Sequence, residues 1–243
     1  LCGNIPKFLF LSHINLLRNS AMKQPGELDI TEGREAPTSN PNNPYHRVSG
    51  FYETNLSLPF ISTLRRQEAR AVGDAIARYT DKDCRVLEVG PGTGYYTLEL
   101  AKCCREVVAI EDSAGMAQIL QGKLQSQASN VTVINRNFLS LSLEGAFDVA
   151  VAIGVLDYIA EPAAFVAKLC AAARRAVILT VPHRGLWSAC FAAGSKLRKI
   201  KIYCYDRVAL RALAPDWRGE ITEVGLKSPF TKGLTLVAAF ERP

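Results

Sequence analysis

The chain of 243 residues carries a formal charge of +6, with 48% hydrophobic and 21% charged residues, the profile of a globular protein with room for one large α/β domain or two small ones. No apolar run is long enough to cross a bilayer, and the three histidines, His13, His46 and His183, are too few for a histidine-rich metal site. Seven cysteines, an odd number without C-x-x-C spacing, fit reduced thiols in a cytoplasmic protein better than a disulfide framework.

Residues 1–44 are expected to form a disordered N-terminal extension. Gly26 to Pro44 is rich in Pro, Asn, Ser, Thr and charge and has no helical or strand periodicity. The apolar patch Phe8-Leu9-Phe10-Leu11 is too short for a signal peptide, and the polar residues Ser12, His13 and Asn15 break its continuation. The chain opens on leucine, and Met22, just ahead of the polar stretch, is an alternative start. Residues 45–243 then read as one domain. Residues 45–84 form its helical cap, in which Ala69, Val72, Ala75 and Ile76 share a face. Strands are expected at 85–89, 107–111, 131–135, 147–153 and 176–181, alternating with helices at 95–104, 114–127 and 162–173. Phe147 to Ile153 is nearly all apolar, as a strand covered on both faces must be. The alternation predicts a parallel sheet with helices on both sides. A short helix at 205–214 precedes strands at 219–226 and 233–241. The link between those two is too short for a crossover helix, which makes them antiparallel neighbours.

The most informative stretch is Val86-Leu87-Glu88-Val89-Gly90-Pro91-Gly92-Thr93-Gly94-Tyr95-Tyr96-Thr97. It reads as a buried strand, a glycine turn and a helix start. Glycines at alternate positions bring bare backbone up to a ligand, and the helix adds free amides and a positive dipole end. The G-x-G-x-G spacing differs from the G-x-G-x-x-G of a dinucleotide site. Glu111, at the end of the next strand, is placed to accept both hydroxyls of a ribose. Glu88 lies inside an apolar strand, where a carboxylate needs a partner.

These residues resemble the class I S-adenosylmethionine-dependent methyltransferases over roughly residues 60–241. The resemblance rests on "VLEVGPGTGYYT", on Val107 to Glu111, and on "FDVAVAIGVLDYI" at 147–159. It implies a Rossmann-like, doubly wound α/β fold with a mostly parallel seven-stranded sheet and one antiparallel strand near the C-terminus. It also implies S-adenosyl-L-methionine as cofactor, with no metal. By the same resemblance the cofactor-binding residues are Glu88, Gly90, Gly92, Gly94, Glu111, Asp112, Asn137, Phe138, Gly154 and Val155. Asn137 stands where the family commonly has Asp, and its carbonyl oxygen can still accept from an adenine amino group. Phe138 is equally suited to lie against adenine or to pack in the core. Asp112 either contacts the cofactor or caps the following helix.

Methyl transfer asks the protein mainly to align the acceptor, exclude water and set its proton state. His183, Asp157 and Tyr158 follow the strands beyond whose ends ligands enter such sheets, and are the catalytic candidates. Tyr45, His46 and Tyr52 belong to a segment able to fold over the site. Residues 184–204 are expected to be a lid that selects the acceptor. Trp187 and Phe191 are one helical turn apart there, and Lys196, Arg198, Lys199 and Lys201 surround them. No Asp or Glu occurs between Pro162 and Tyr205, a run that reads first as a solvated basic face and second as a place for an anionic or amphiphilic acceptor. A small-molecule acceptor is the leading expectation, with no stable nucleic-acid or membrane partner. Methylation of lipid, protein or RNA is the alternative, and a non-catalytic cofactor-binding subunit is a third reading.

Overall fold

In a computed structural model the protein is described over residues 59–143, 145–185, 201–225 and 234–243, with the side chains of 59–62 and 64 excepted. The order is α1 (Pro59–Tyr79), β1 (Arg85–Val89), α2 (Tyr95–Cys103), β2 (Glu106–Ile110), α3 (Ala114–Gln127), β3 (Val131–Ile134), β4 (Phe147–Ala152), α4 (Pro162–Ala172), β5 (Ala173–Pro182), α5 (Arg207–Ala212), β6 (Arg218–Val224) and β7 (Thr235–Glu241). Single 3-10 turns cover Phe138–Ser140 and Leu156–Tyr158.

The seven strands lie in the order β3-β2-β1-β4-β5-β7-β6. Pairings from β3 through β5 are parallel, and β7 runs antiparallel to both of its neighbours. The sequence expectation therefore holds for the fold class and for the last strand pair. Two local differences have clear causes. Strand β5 begins at Ala173, directly where α4 stops, so the helix loses its expected last residue. Helix α5 is only six residues long because Asp206 caps it, its Oδ1 accepting from Ala209 N at 2.8 Å, and single-turn bonds then close the chain ahead of Pro215.

Successive strand residues face opposite sides, which splits the core in two. On one side Val86, Val107, Val149, Val151 and Ile178 meet Val72 and Ile76 of α1 and Leu100 of α2. On the other, Leu87, Val108, Ala150, Val177 and Phe240 meet Phe165, Val166 and Leu169 of α4 and Leu210 of α5. Covering both faces leaves one place for ligand chemistry, the rim where the parallel strands end. Glu88, Glu111, Asp157 and His183 all come to that rim. Among the described residues no helix is long and apolar enough to cross a membrane.

Candidate functional site

The glycine turn leaves β1 in a backbone that side chains resist. Gly90, Gly92 and Gly94 have φ of 70°, 58° and 89°, all in the left-handed region. The three differ in what a side chain would meet. A Cβ on Gly90 would stand 2.5 Å from Val155 Cγ2, and one on Gly94 would stand 2.4 Å from Leu120 Cδ1. A Cβ on Gly92 would meet nothing within 4 Å. Gly90 and Gly94 thus let the turn close against the β4 loop and α3, while Gly92 faces open space. Gly154 is a further left-handed glycine, at φ 68°, held by its N–H to Thr180 Oγ1 at 2.9 Å.

Glu111 is only 6% exposed. One carboxylate oxygen accepts from Gly92 N at 3.1 Å and the other from Ser113 N at 2.8 Å. The acid expected to hold a ribose therefore also holds the glycine turn. The cap of α3 is Ser113, whose Oγ accepts from Met116 N at 3.5 Å. Asp112 stands one residue outside that cap, a correction to its expected capping role that follows from a shorter hydroxyl side chain in the right register.

Glu88 pairs in register with Ala109 and Val151, so strands flank it on both sides. Burial pushes its carboxyl up to about 7; Thr97 beside it lowers this and the charge of Glu111 raises it. Neither Glu88 Oε2 nor Thr97 Oγ1 reaches a partner in hydrogen-bond geometry. The folded protein thus binds a proton at Glu88 that the unfolded chain releases at lower pH. Its contribution to stability is complete below the ordinary glutamate range and fades as pH rises towards 7. Relative to wild type, Glu88→Gln is expected to raise the ligand-free protein's stability at pH 8 by up to about 3 kcal/mol and to change it little at pH 4.5. Thermal melts at the two pH values check this.

Asn137 Oδ1 accepts from Leu139 N at 2.8 Å, capping the 3-10 turn beyond β3. Phe138 is 4% exposed, edge-on to Phe165 at 5.1 Å and under the Lys168 ammonium at 5.3 Å. Of its two expected places it occupies the core one, and its ring has little face to offer a ligand.

A second group of polar side chains lies beyond β4 and β5. Asp157 is pushed up to about 7, chiefly by burial and next by the charge of Glu68, against the lowering effects of its own backbone amide and Arg65. Its Oδ1 is buried without a hydrogen-bond partner, as is Nδ1 of His183. The main chain ties the group together: Tyr203 N donates to Asp157 O at 2.8 Å, Arg184 N to Tyr205 O at 2.7 Å, and Tyr205 N to Pro182 O at 2.9 Å. Tyr158 sits in the same turn, half-buried. Sequence reasoning missed Glu68, which is 6% exposed. The signal was present, since Glu68, Val72 and Ile76 are spaced four apart, which puts a carboxylate on the apolar stripe of α1. Tyr45, His46, Tyr52, Trp187, Phe191, Lys196, Arg198 and Lys199 lie outside the described residues. Lys201 is exposed, with its ammonium 4.9 Å from the Tyr203 ring. Among the described residues no group of three or more His, Cys, Asp or Glu is placed to hold a metal.

The family model for ribosomal RNA adenine dimethylases matches residues 70–178. Over 85 residues, 34% of this chain and 30% of the relative, the sequence is 39% identical to the ribosomal RNA small subunit methyltransferase A of Desulforapulum autotrophicum. Over 69 residues, 28% of this chain and 22% of the relative, it is 42% identical to the "Probable dimethyladenosine transferase" of Dictyostelium discoideum. The matched stretch thus spans less than a third of the length of these relatives. In fold, the chain resembles the magnesium protoporphyrin IX methyltransferase of Synechocystis PCC 6803 solved with SAH bound, with a TM-score of 0.65, 17% identity, and coverage of 82% of this chain and 97% of that one. The matching family and the Desulforapulum autotrophicum relative are named for ribosomal RNA. This overturns the expectation of a small-molecule acceptor and no nucleic-acid partner. That expectation leaned on a mild net charge, whereas an RNA substrate needs only locally concentrated positive surface.

Proposed function

We propose, from the premise that this chain carries the Rossmann-like domain of the class I S-adenosylmethionine-dependent methyltransferases, that it methylates the exocyclic amino nitrogen of an adenine in ribosomal RNA. The observation that carries the reading is the match of residues 70–178 to the adenine dimethylase family. A half-buried acid with one buried, unsatisfied oxygen at the ligand rim, Asp157, supports it.

The residues suit the cofactor. Open space stands at Gly92, Glu88 Oε2 is buried and unpartnered, and the Glu111 carboxylate lies against the turn, accepting from Gly92 and Ser113. In this reading Glu111 holds the ribose. Glu88, Gly90, Gly94, Gly154 and Val155 shape the methionine side, and Asp112 and Asn137 border the adenine side. When bound, S-adenosylmethionine supplies a methyl group already activated by a sulfonium charge. The protein's part is alignment and proton management. An adenine amino group is a weak nucleophile because its lone pair is shared with the ring. A carboxylate that accepts one of its N–H bonds returns density to nitrogen and can take the proton released. Asp157 is the residue of the rim able to do this, with His183 and Tyr158 as its neighbours around the acceptor. After β4 the chain has Gly154-Val155-Leu156-Asp157 in place of an Asn-Pro-Pro-Tyr-like amino-methylation motif, so the acid comes from a different position in the turn. Residues 45–84 and 184–204 serve this reading as cap and acceptor-selecting lid, and residues 1–44 as an extension outside the domain. A cytoplasmic setting belongs to it as well, since Cys84, Cys103, Cys104, Cys170 and Cys204 are not joined in disulfides.

The test is methyl transfer from labelled S-adenosylmethionine to small-subunit ribosomal RNA, followed by nucleoside analysis. Methylated adenosine is the expected product; label in any other nucleoside, or none in RNA, counts against the reading. Asp157→Asn is expected to lower kcat by about 100-fold or more, with S-adenosylhomocysteine affinity, read by calorimetry, unchanged.

A further inference from the structure

The strap Tyr203-Cys204-Tyr205 crosses the ligand rim and joins two turns that lie far apart in sequence. On one side Tyr205 N donates to Pro182 O at 2.9 Å, and Tyr205 O accepts from Arg184 N at 2.7 Å, a bridge that sets Tyr205 opposite His183. The end of β5 is itself fixed to the sheet: Pro182 pairs with Thr235 of β7, and His183 N donates to Leu234 O at 2.9 Å. On the other side Tyr203 N donates to Asp157 O at 2.8 Å, and the Tyr205 hydroxyl donates to Leu156 O at 3.4 Å. The turn that carries Asp157 closes on itself with short-range bonds, Tyr158 N to Val155 O at 3.1 Å and Ile159 N to Leu156 O at 3.2 Å. Those bonds shape the turn without fixing it to the sheet; the strap does that. Gly154, at the head of the same turn, is tied to β5 separately through Thr180 Oγ1.

Tyr205 is 7% exposed and packs in the core with Leu156, Val181 and Leu210. A phenylalanine would fill the same space, whereas a phenol placed there needs an acceptor. Burial above all, and next the charge of Asp157, push this phenol up to about 12, so it stays protonated and donating through neutral pH. We propose that Tyr205 is a positioning residue that acts through Asp157: its hydroxyl and the Tyr203 amide hold the Leu156–Asp157 backbone against the end of β5, and so set where the Asp157 carboxylate meets the acceptor nitrogen. The inference rests on the reading above for the role of Asp157 and for its acceptor; the hold on the turn rests on the hydrogen bonds alone. A group that takes a proton must stand within hydrogen-bond reach of it, and a misplacement of about 1 Å can cost on the order of 100-fold in rate. Because Gly154 keeps its own tie, loosening the strap disturbs the acceptor side and spares the cofactor side.

Tyr205→Phe keeps the ring and removes the bond to Leu156 O. In the ligand-free protein, amide hydrogen exchange at Tyr203, whose N–H meets Asp157 O, is expected to quicken about tenfold, with exchange at Ile178 and Leu179 in β5 unchanged. A general loss of stability would quicken the β5 amides as well. In methyl transfer from labelled S-adenosylmethionine to small-subunit ribosomal RNA, kcat is expected to fall about tenfold, with KM for RNA and S-adenosylhomocysteine affinity within about twofold of wild type. A double-mutant cycle separates this role from a structural one: in Asp157→Asn protein the same substitution should cost less than about twofold, because the group being positioned is gone. The full tenfold loss in both backgrounds overturns the proposal, as does unchanged exchange at Tyr203 in Tyr205→Phe. If the wild-type protein methylates no RNA, the RNA acceptor is rejected and the exchange rates alone decide whether Tyr205 holds the turn.

Discussion

Gly94→Val is expected to destabilise the domain by about 3 kcal/mol or more, the sum of a β-branched residue forced to positive φ and a core contact with nowhere to go. Gly94 sits at φ 89°, and its added Cβ would stand 2.4 Å from Cδ1 of Leu120, a fully buried side chain of α3. Leu120 packs on Ala109 of β2 and beside Leu124, so the clash passes into the sheet. Gly92→Val makes the contrast. It carries the strain of φ 58° without any clash, a cost of about 1–2 kcal/mol. Its branched side chain enters the space the turn leaves open, so S-adenosylhomocysteine affinity is expected to fall more than about 100-fold. Thermal melts and calorimetry on the two variants separate the roles. Wild-type affinity in Gly92→Val would mean that the turn does not face the ligand.

Glu111→Ala is expected to weaken S-adenosylhomocysteine binding by about 1.5–3 kcal/mol, the worth of charge-assisted hydrogen bonds to a ribose. The structure adds a second expected loss. The carboxylate also accepts from Gly92 N and Ser113 N, and leaving two sheltered amides without an acceptor costs about 1–3 kcal/mol each where water cannot reach them. The melting temperature of the ligand-free protein should therefore fall as well. Glu111→Gln keeps one acceptor oxygen and should recover part of the stability while losing most of the ribose grip. If both variants melted like wild type, the acid would not be holding the turn; if both bound the ligand like wild type, it would not be part of the site.

The strands and the glycine turn were legible because their physics is local. The strand expected at 85–89 coincides with Arg85–Val89, and the helix expected at 114–127 with Ala114–Gln127. A strand buried on both faces must be apolar throughout, and a turn at positive φ must be glycine. Of the cofactor candidates, the glycines of the turn follow from the second rule, and the full set is what the family resemblance implies. The acceptor side was less legible because it is assembled across elements far apart in sequence. Asp157 was singled out from its position after a strand, but Glu68 was passed over: the apolar stripe of α1 was traced through Ala69, Val72, Ala75 and Ile76, without the carboxylate four residues before Val72. Phe138 could be weighed between ligand and core but not decided, since its partners Phe165 and Lys168 belong to another helix. The acceptor class went wrong for a related reason. The basic run between Pro162 and Tyr205 was read first as a solvated face, because a mild net charge does not say whether such cations gather on one surface in the fold.

The reversal of β7 gives the domain a built-in ruler. Its first residue, Thr235, pairs with Pro182, next to His183 at the ligand rim, and its last, Glu241, pairs with Ala176 at the opposite rim. Seven extended residues separate the two by roughly 20 Å. A spectroscopic label at Leu234 would sense events at the ligand rim, and one at Arg242, whose N–H bonds Arg175 O at 2.9 Å, would stay outside them. The strand thus holds a reporter and its own reference on one rigid segment, so that a signal change at the first and not at the second is local occupancy, and a change at both is loss of the sheet.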